Sequence, residues 1–152
     1  MADESYLSWP FFEPKHRDLV AELKFWCGAN LPLDHHDVDA ACKKAVFMLG
    51  RDGWLNHTAA SDGDTLDVRT LCLIRETIAQ HDTLAEFSFA MQGLGMGAVT
   101  MFGTPEQRQW LAKTRAGAAI AAFAITEPEA GSDVAASKAT AKPKGNRAHS
   151  CG

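Results

Sequence analysis

A short apolar run, Ile120 to Ile125, breaks without a spacer into Thr126-Glu127-Pro128-Glu129-Ala130-Gly131-Ser132-Asp133. No other junction in the chain limits its fold so tightly. The run is long enough for a buried strand, and the proline and glycine that follow stop any regular element. The turn gathers two hydroxyls, Thr126 and Ser132, around the bare backbone at Gly131. Hydroxyls and open N–H groups placed this way suit a flat or phosphorylated ligand. The bland alternative is a strand end followed by an ordinary turn.

Everything before this junction reads as helix. Pro14 fits a first helical position, and Leu19, Leu23, Trp26 and Cys27 recur at helical spacing until Gly28. Asp34 is expected to cap a second helix through Val38, Ala41, Cys42, Ala45 and Leu49, with Gly50 beyond its end. Arg51 to Asp64 reads as a loop. A third helix is expected from near Asp64, with Val68, Leu71, Ile74 and Ile78 facing inward. A fourth is expected from about Thr83 to Phe102, through Leu84, Phe87, Met91, Leu94 and Met101. Thr104-Pro105-Glu106-Gln107 is a capping box with proline at the first helical position. It opens a fifth helix, anchored by Trp110 and Leu111 and ended by Gly117.

The octet Thr126 to Asp133, entered from an apolar run, resembles the flavin-loop signature of acyl-CoA dehydrogenases, apolar-Thr-Glu-Pro-x-Ala-Gly-Ser-Asp, at every fixed position. Phe102-Gly103-Thr104-Pro105-Glu106-Gln107 is similar to the family's approach to its fifth helix. The resemblance implies a mainly α fold: an N-terminal helical domain of about five helices over residues 1–117, then the first strand or strands of a middle β-barrel domain over 118–141, bearing the flavin loop. Residues 142–152 depart from the family's continuation, and their polarity predicts a disordered tail. A truncated or frame-shifted reading frame is the simplest expectation for that departure.

The same resemblance implies FAD as cofactor and an acyl-CoA thioester as substrate, oxidised between its α and β carbons, with an electron-transfer acceptor as partner. Phe123 and Ile125 would lie against the isoalloxazine ring and Thr126 at its edge. Ala130 and Gly131 would let the backbone come close, and Ser132 would meet both the cofactor pyrophosphate and the substrate's pantetheine arm. No catalytic residue is expected in this chain, because the family's base lies in a C-terminal helical domain. Glu127 belongs to the signature and Glu129 fills its variable position, so neither is assigned that role. The chain alone is expected to be inactive, and the full-length protein to be a homo-oligomer. The alternatives are a flavin-dependent monooxygenase or nitroalkane-oxidase-like relative on the same scaffold, or a non-catalytic interaction module.

Composition agrees with a soluble enzyme piece. The 152 residues are 46% apolar, enough to bury a core, and no run approaches the ~20 residues that span a bilayer. The start, Met1-Ala2-Asp3-Glu4-Ser5, is acidic and lacks the pattern of a signal or transit segment. Cys27, Cys42, Cys72 and Cys151 are dispersed, which suits free thiols in a reducing compartment. A cytoplasmic location is expected. The net charge is −4, yet Lys138, Lys142, Lys144 and Arg147 fall in an acid-free tail. Without interleaved aromatics that tail does not predict nucleic-acid binding.

Other constellations read as structural. Gly93, Gly95 and Gly97 lack the spacing and preceding strand of a dinucleotide loop, so they are expected to let the fourth helix pack closely. Phe87, Ala90 and Leu94 read as core, although the resemblance would let them wall an acyl pocket. His35-His36-Asp37 has no partner at metal-ligand spacing and reads as a helix start. Glu76, His81 and Asp82 read as surface or helix-end residues. No metal site is expected.

Overall fold

A computed structural model describes residues 3–60, 65–144 and 147–151. Two compact units divide the chain, Met1–Ala122 and Phe123–Gly152.

The first unit is helical. Helix α1 spans Pro14–Asn30, α2 Val38–Arg51, α3 Val68–Ala79, α4 Thr83–Phe102 and α5 Pro105–Arg115. Short 3-10 turns at Ser5–Ser8 and Trp54–Thr58 supplement them. Helix α4 packs against α2, α3 and α5, while α1 lies on α3. The core gathers Leu23, Cys27, Leu49, Leu55, Ile74, Ile78 and Phe89, all fully buried. Burying a side chain such as Phe89 or Leu49 contributes about 1.5–3 kcal/mol each.

Side chains satisfy the N-terminal N–H groups that each helix leaves open. Asp37 accepts from Ala40, Asp67 from Arg69 and Thr70, and Asp82 from Leu84 and Ala85. In α5 the reciprocal box between Thr104 and Gln107 forms as the sequence predicts. At α1 the Glu13 N–H donates to Nδ1 of His16 at 2.9 Å. That leaves Nε2 to carry the proton toward Asp67 at 3.3 Å, so the fully buried imidazole ties α1 to the start of α3.

Several boundaries differ from expectation. Helix α1 runs through Gly28 and ends where Leu31 precedes Pro32, a residue pair that disfavours helix. The cap of α2 is Asp37; Asp34 instead accepts the His36 N–H in a local turn. Gly50 lies inside α2 and not beyond its end, and a β-carbon there would sit 2.3 Å from the Gly117 nitrogen, so the position requires glycine. Gly117 itself has φ +69°, the left-handed conformation that closes α5. The expected loop after Arg51 contains the 3-10 turn whose Trp54, Leu55 and Thr58 are buried. The helix start expected near Asp64 lies outside the described residues, and α3 begins after Asp67.

Two helices present different faces from those predicted. In α3 the buried positions are Thr70, Leu73, Ile74, Thr77 and Ile78, and Val68 is exposed. In α4 they are Ala85, Ser88, Phe89 and Gln92, leaving Phe87, Leu94 and Met101 exposed. Helix α4 is apolar nearly all round, so periodicity alone does not say which side is covered. Leu111 anchors α5, but Trp110 is exposed under the Lys113 ammonium, 4.5 Å from its ring centre.

Ile120 to Ile125, which straddles the boundary of the two units, is not a strand: it pairs with no other segment among the described residues. Regular pairing falls instead where a disordered tail was expected. Strand β1, Thr140–Lys144, runs antiparallel to β2, Arg147–Cys151, in the register Thr140 to Cys151 and Lys144 to Arg147. A hairpin closes a very short loop, so its entropy cost is small despite the polar composition. Pro143 is tolerated because both strands of such a ribbon are edges.

Candidate functional site

The Thr126–Asp133 octet is built on a closed corner. Glu127 N–H donates to the Ala130 carbonyl at 2.9 Å, and Ala130 N–H returns to the Glu127 carbonyl at 3.2 Å. Pro128 takes the first corner position, where its fixed φ belongs. Among the described residues only Gly53 and Gly117 have positive φ, so this corner has type I character and Gly131 needs no unusual backbone.

Glu127 is committed to the fold. Its two carboxylate oxygens accept the N–H groups of Lys138 at 2.8 Å and Ala139 at 2.9 Å, immediately before β1. Glu129 pairs with the Lys138 ammonium at 2.5 Å. A 3-10 turn at Val134–Ala136 follows the octet.

The sequence-predicted residues fall into two groups. Phe123 and Ile125 are 43% and 42% exposed, and Thr126, Gly131 and Ser132 are also exposed. A β-carbon added at Gly131 would meet nothing within 4 Å. Neither the Thr126 nor the Ser132 hydroxyl bonds to another described residue. Ala130 differs: at 2% exposure it is covered, and its N–H and C=O are both taken by Glu127, so it serves the corner and not a ligand directly.

One positioning residue escaped the sequence reading, and two glycines of α4 take the packing role expected of them. Gln92 is buried in α4, and its side-chain oxygen accepts the Ala121 N–H at 3.1 Å. One turn on, a β-carbon at Gly95 would lie 2.8 Å from that of Ala121 and 3.0 Å from the Ala122 nitrogen. Gly93 similarly admits Thr58, whose carbonyl would be 3.3 Å away. Helix α4 is thus notched to receive the residues that lead toward the octet. A lone glutamine in an apolar helix was the available signal.

The remaining candidates are structural or separate. The buried Asp82 carboxylate accepts from Leu33 N–H at 2.8 Å and from His35 Nε2 at 3.0 Å, besides capping α4. Burial opposes its ionisation, but the N–H groups of Leu33 and Ala85 and the His35 ring hold its carboxyl below the usual range. Asp82 is therefore a helix-end residue, as one of the two expectations has it, but a buried tie and not a surface group. Burial pushes the Cys27 thiol up to about 11, which makes it unreactive. Ala90 and Leu94 line a cleft of about 270 Å³ with Leu71, Phe89 and Gly93; Phe87 lies outside it.

These features define one class, a five-helix domain that leads into a closed corner. The family model for the acyl-CoA dehydrogenase N-terminal domain matches residues 13–118. The chain belongs to the acyl-CoA dehydrogenase family, a family of oxidoreductases. It is 43% identical over 134 residues to the mitochondrial short-chain specific acyl-CoA dehydrogenase of Bos taurus, covering 86% of this chain and 32% of that protein. It is 27% identical over 138 residues to a probable acyl-CoA dehydrogenase of Mycobacterium leprae (strain TN), covering 87% and 36%. Similarity to the mitochondrial very long-chain specific acyl-CoA dehydrogenase of Mus musculus is 36% over 72 residues, 46% of this chain and 11% of that protein. The chain thus spans between about a tenth and a third of the length of these relatives.

Proposed function

We propose that the chain supplies the helical domain and flavin loop of an FAD-dependent acyl-CoA dehydrogenase. FAD, when bound, provides the two-electron acceptor for oxidation between the α and β carbons of an acyl-CoA. Phe123 and Ile125 offer apolar surface to its ring system, and Thr126 offers a hydroxyl to the ring edge. With Ala130 committed to the corner, the Gly131 backbone and Ser132 serve the pyrophosphate, with Ser132 also toward the pantetheine arm of the substrate.

One observation carries this reading. Glu127 and Ala130 are consumed in shaping the corner, while Thr126, Gly131 and Ser132 stand open and unbonded within the fold. That division supports the reading, because the groups left open are ones a flat, phosphorylated ligand can use.

No side chain here is assigned as the base that takes the α proton. Glu127 is engaged by two N–H groups and Glu129 by Lys138. We therefore infer that the polypeptide alone neither holds FAD tightly nor turns over substrate. Acyl-CoA and an electron-transfer acceptor are partners of the full-length protein, which we propose to be a homo-oligomer. The free thiols Cys27, Cys42 and Cys72 support a reducing, cytoplasmic setting.

Titration with FAD, followed residue by residue through amide NMR, tests the assignment. Weak, saturable shifts confined to residues 123–132 are expected, weakened by Thr126→Val and Ser132→Ala. Shifts centred elsewhere would overturn the loop assignment. Stoichiometric yellow cofactor surviving gel filtration would overturn the inference that the chain alone binds weakly.

A further inference from the structure

A cleft in the helical unit lies far in sequence from the octet. It measures about 650 Å³ and is lined by Tyr6, Trp9, Phe11, Phe12, Cys72 and Glu76, with Leu73 beside them. That volume is within the range of small-molecule sites. Four aromatic side chains from the N-terminal segment stand opposite one carboxylate and one thiol, which α3 presents one turn apart.

This segment is held in shape by polar ties. Arg17 donates to the carbonyls of Leu7 at 3.0 Å and Phe12 at 3.2 Å. Arg69 donates to the Phe11 carbonyl at 2.9 Å and to Glu13 at 2.7 Å. Tyr6 packs edge-on to Phe12 at 5.8 Å, and Phe12 in turn to the buried His16 ring at 5.8 Å. Tyr6 O–H donates to Glu76 at 2.9 Å, fixing the carboxylate at the cleft. Burial, then that carboxylate, push the tyrosine up to about 12, so its hydroxyl stays a donor at neutral pH.

An aromatic wall with a fixed negative charge beside it selects for positive charge on an apolar body. Ring faces attract cations through their quadrupole, and a carboxylate adds direct attraction. The protein already uses one of these rings so: the Arg69 guanidinium lies 5.6 Å from the centre of Phe11. A neutral apolar guest would gain the same walls and nothing from Glu76.

We propose that this cleft is a binding site for a small organic cation, with a quaternary or alkylated ammonium head against the rings and Glu76. Tyr6, Trp9, Phe11 and Phe12 form the walls, Leu73 lies behind them, and Cys72 borders the cleft.

Choline and its neutral isostere dimethylbutanol, in which carbon replaces the quaternary nitrogen, separate charge from shape. Titrated into the full chain, choline is expected to shift the Trp9 indole N–H and the Tyr6–Phe12 amides saturably, about tenfold more tightly than the isostere. Glu76→Gln keeps an acceptor for Tyr6 and removes the charge, so it is expected to erase that preference without unfolding the chain. Choline is also expected to slow alkylation of Cys72 and to leave Cys42 unaffected. Equal affinity for cation and isostere, an unchanged preference in Glu76→Gln, or shifts centred on Trp110 would overturn the proposal. No saturable shift up to tens of millimolar choline would overturn it as well.

Discussion

The Ala121 N–H donates to the side-chain oxygen of Gln92 across 3.1 Å, with both residues buried. A helix side chain here does what a neighbouring strand would do elsewhere: it satisfies an extended backbone. Gln92→Leu preserves bulk and removes the acceptor, leaving a buried donor unpaired at a cost of about 1–3 kcal/mol. A lowered urea midpoint, with faster exchange of the Ala121 amide, is the expected outcome.

Glycines in this chain have opposite sensitivities. Gly50→Ala would drive a β-carbon to 2.3 Å from the Gly117 nitrogen, where only backbone can give way. A loss of about 3 kcal/mol is expected. Gly28→Ala meets nothing within 4 Å inside α1 and should gain about 0.5–1 kcal/mol. Thermal melting of the two variants should therefore move in opposite directions.

The Asp67 carboxyl makes stability depend on acid. Burial opposes its ionisation, yet the Lys15 ammonium, the Thr70 N–H and the His16 ring hold it well below the carboxylate range. The folded state thus binds this proton less readily than the unfolded state, whose value is about 3.9. Its contribution is present above that pH and is lost as pH falls further. Asp67→Asn keeps a capping oxygen but no charge, so it should cost about 1 kcal/mol at neutral pH and progressively less as pH falls below about 4. Denaturant titrations of both proteins across that range measure the convergence.

Glu127 is expected to behave as a brace for its own unit. Glu127→Ala frees the Lys138 and Ala139 amides, and their hydrogen exchange should rise several-fold, equivalent to about 1 kcal/mol. Melting of the helical unit should stay unchanged. Exchange at the wild-type rate would show that the two carboxylate bonds carry no weight in solution.

Capping chemistry was the most legible layer of the fold. Pro14 and the Thr104 to Gln107 box mark helix starts by the groups they supply, and α4 was bounded from Thr83 to Phe102 on sequence alone. Orientation was less readable: α4 offers apolar residues on every side, so only its neighbours choose Phe89 over Phe87. Asp34 and Asp37 are equal as capping residues by type, and geometry gave the helix to the second. The apolar stretch before Thr126 looked like a strand because pairing partners are invisible to a local pattern. The hairpin was missed although Gly145-Asn146 is a two-residue hairpin signal. At the site, residue types were readable from the octet, but which of them the fold consumes was not. Separating Ala130 from Gly131 required the closed corner.

Phe25, Met101 and Phe102 all lie largely uncovered, Phe102 at 79%. The net charge of −4 opposes contact between such side chains on neighbouring copies. The chain's isoelectric point is about 5.8, so mild acidification removes that repulsion while the folded state is still intact. Turbidity near that pH would report colloidal crowding of greasy surfaces rather than unfolding, and modest alkalinity should redissolve the protein.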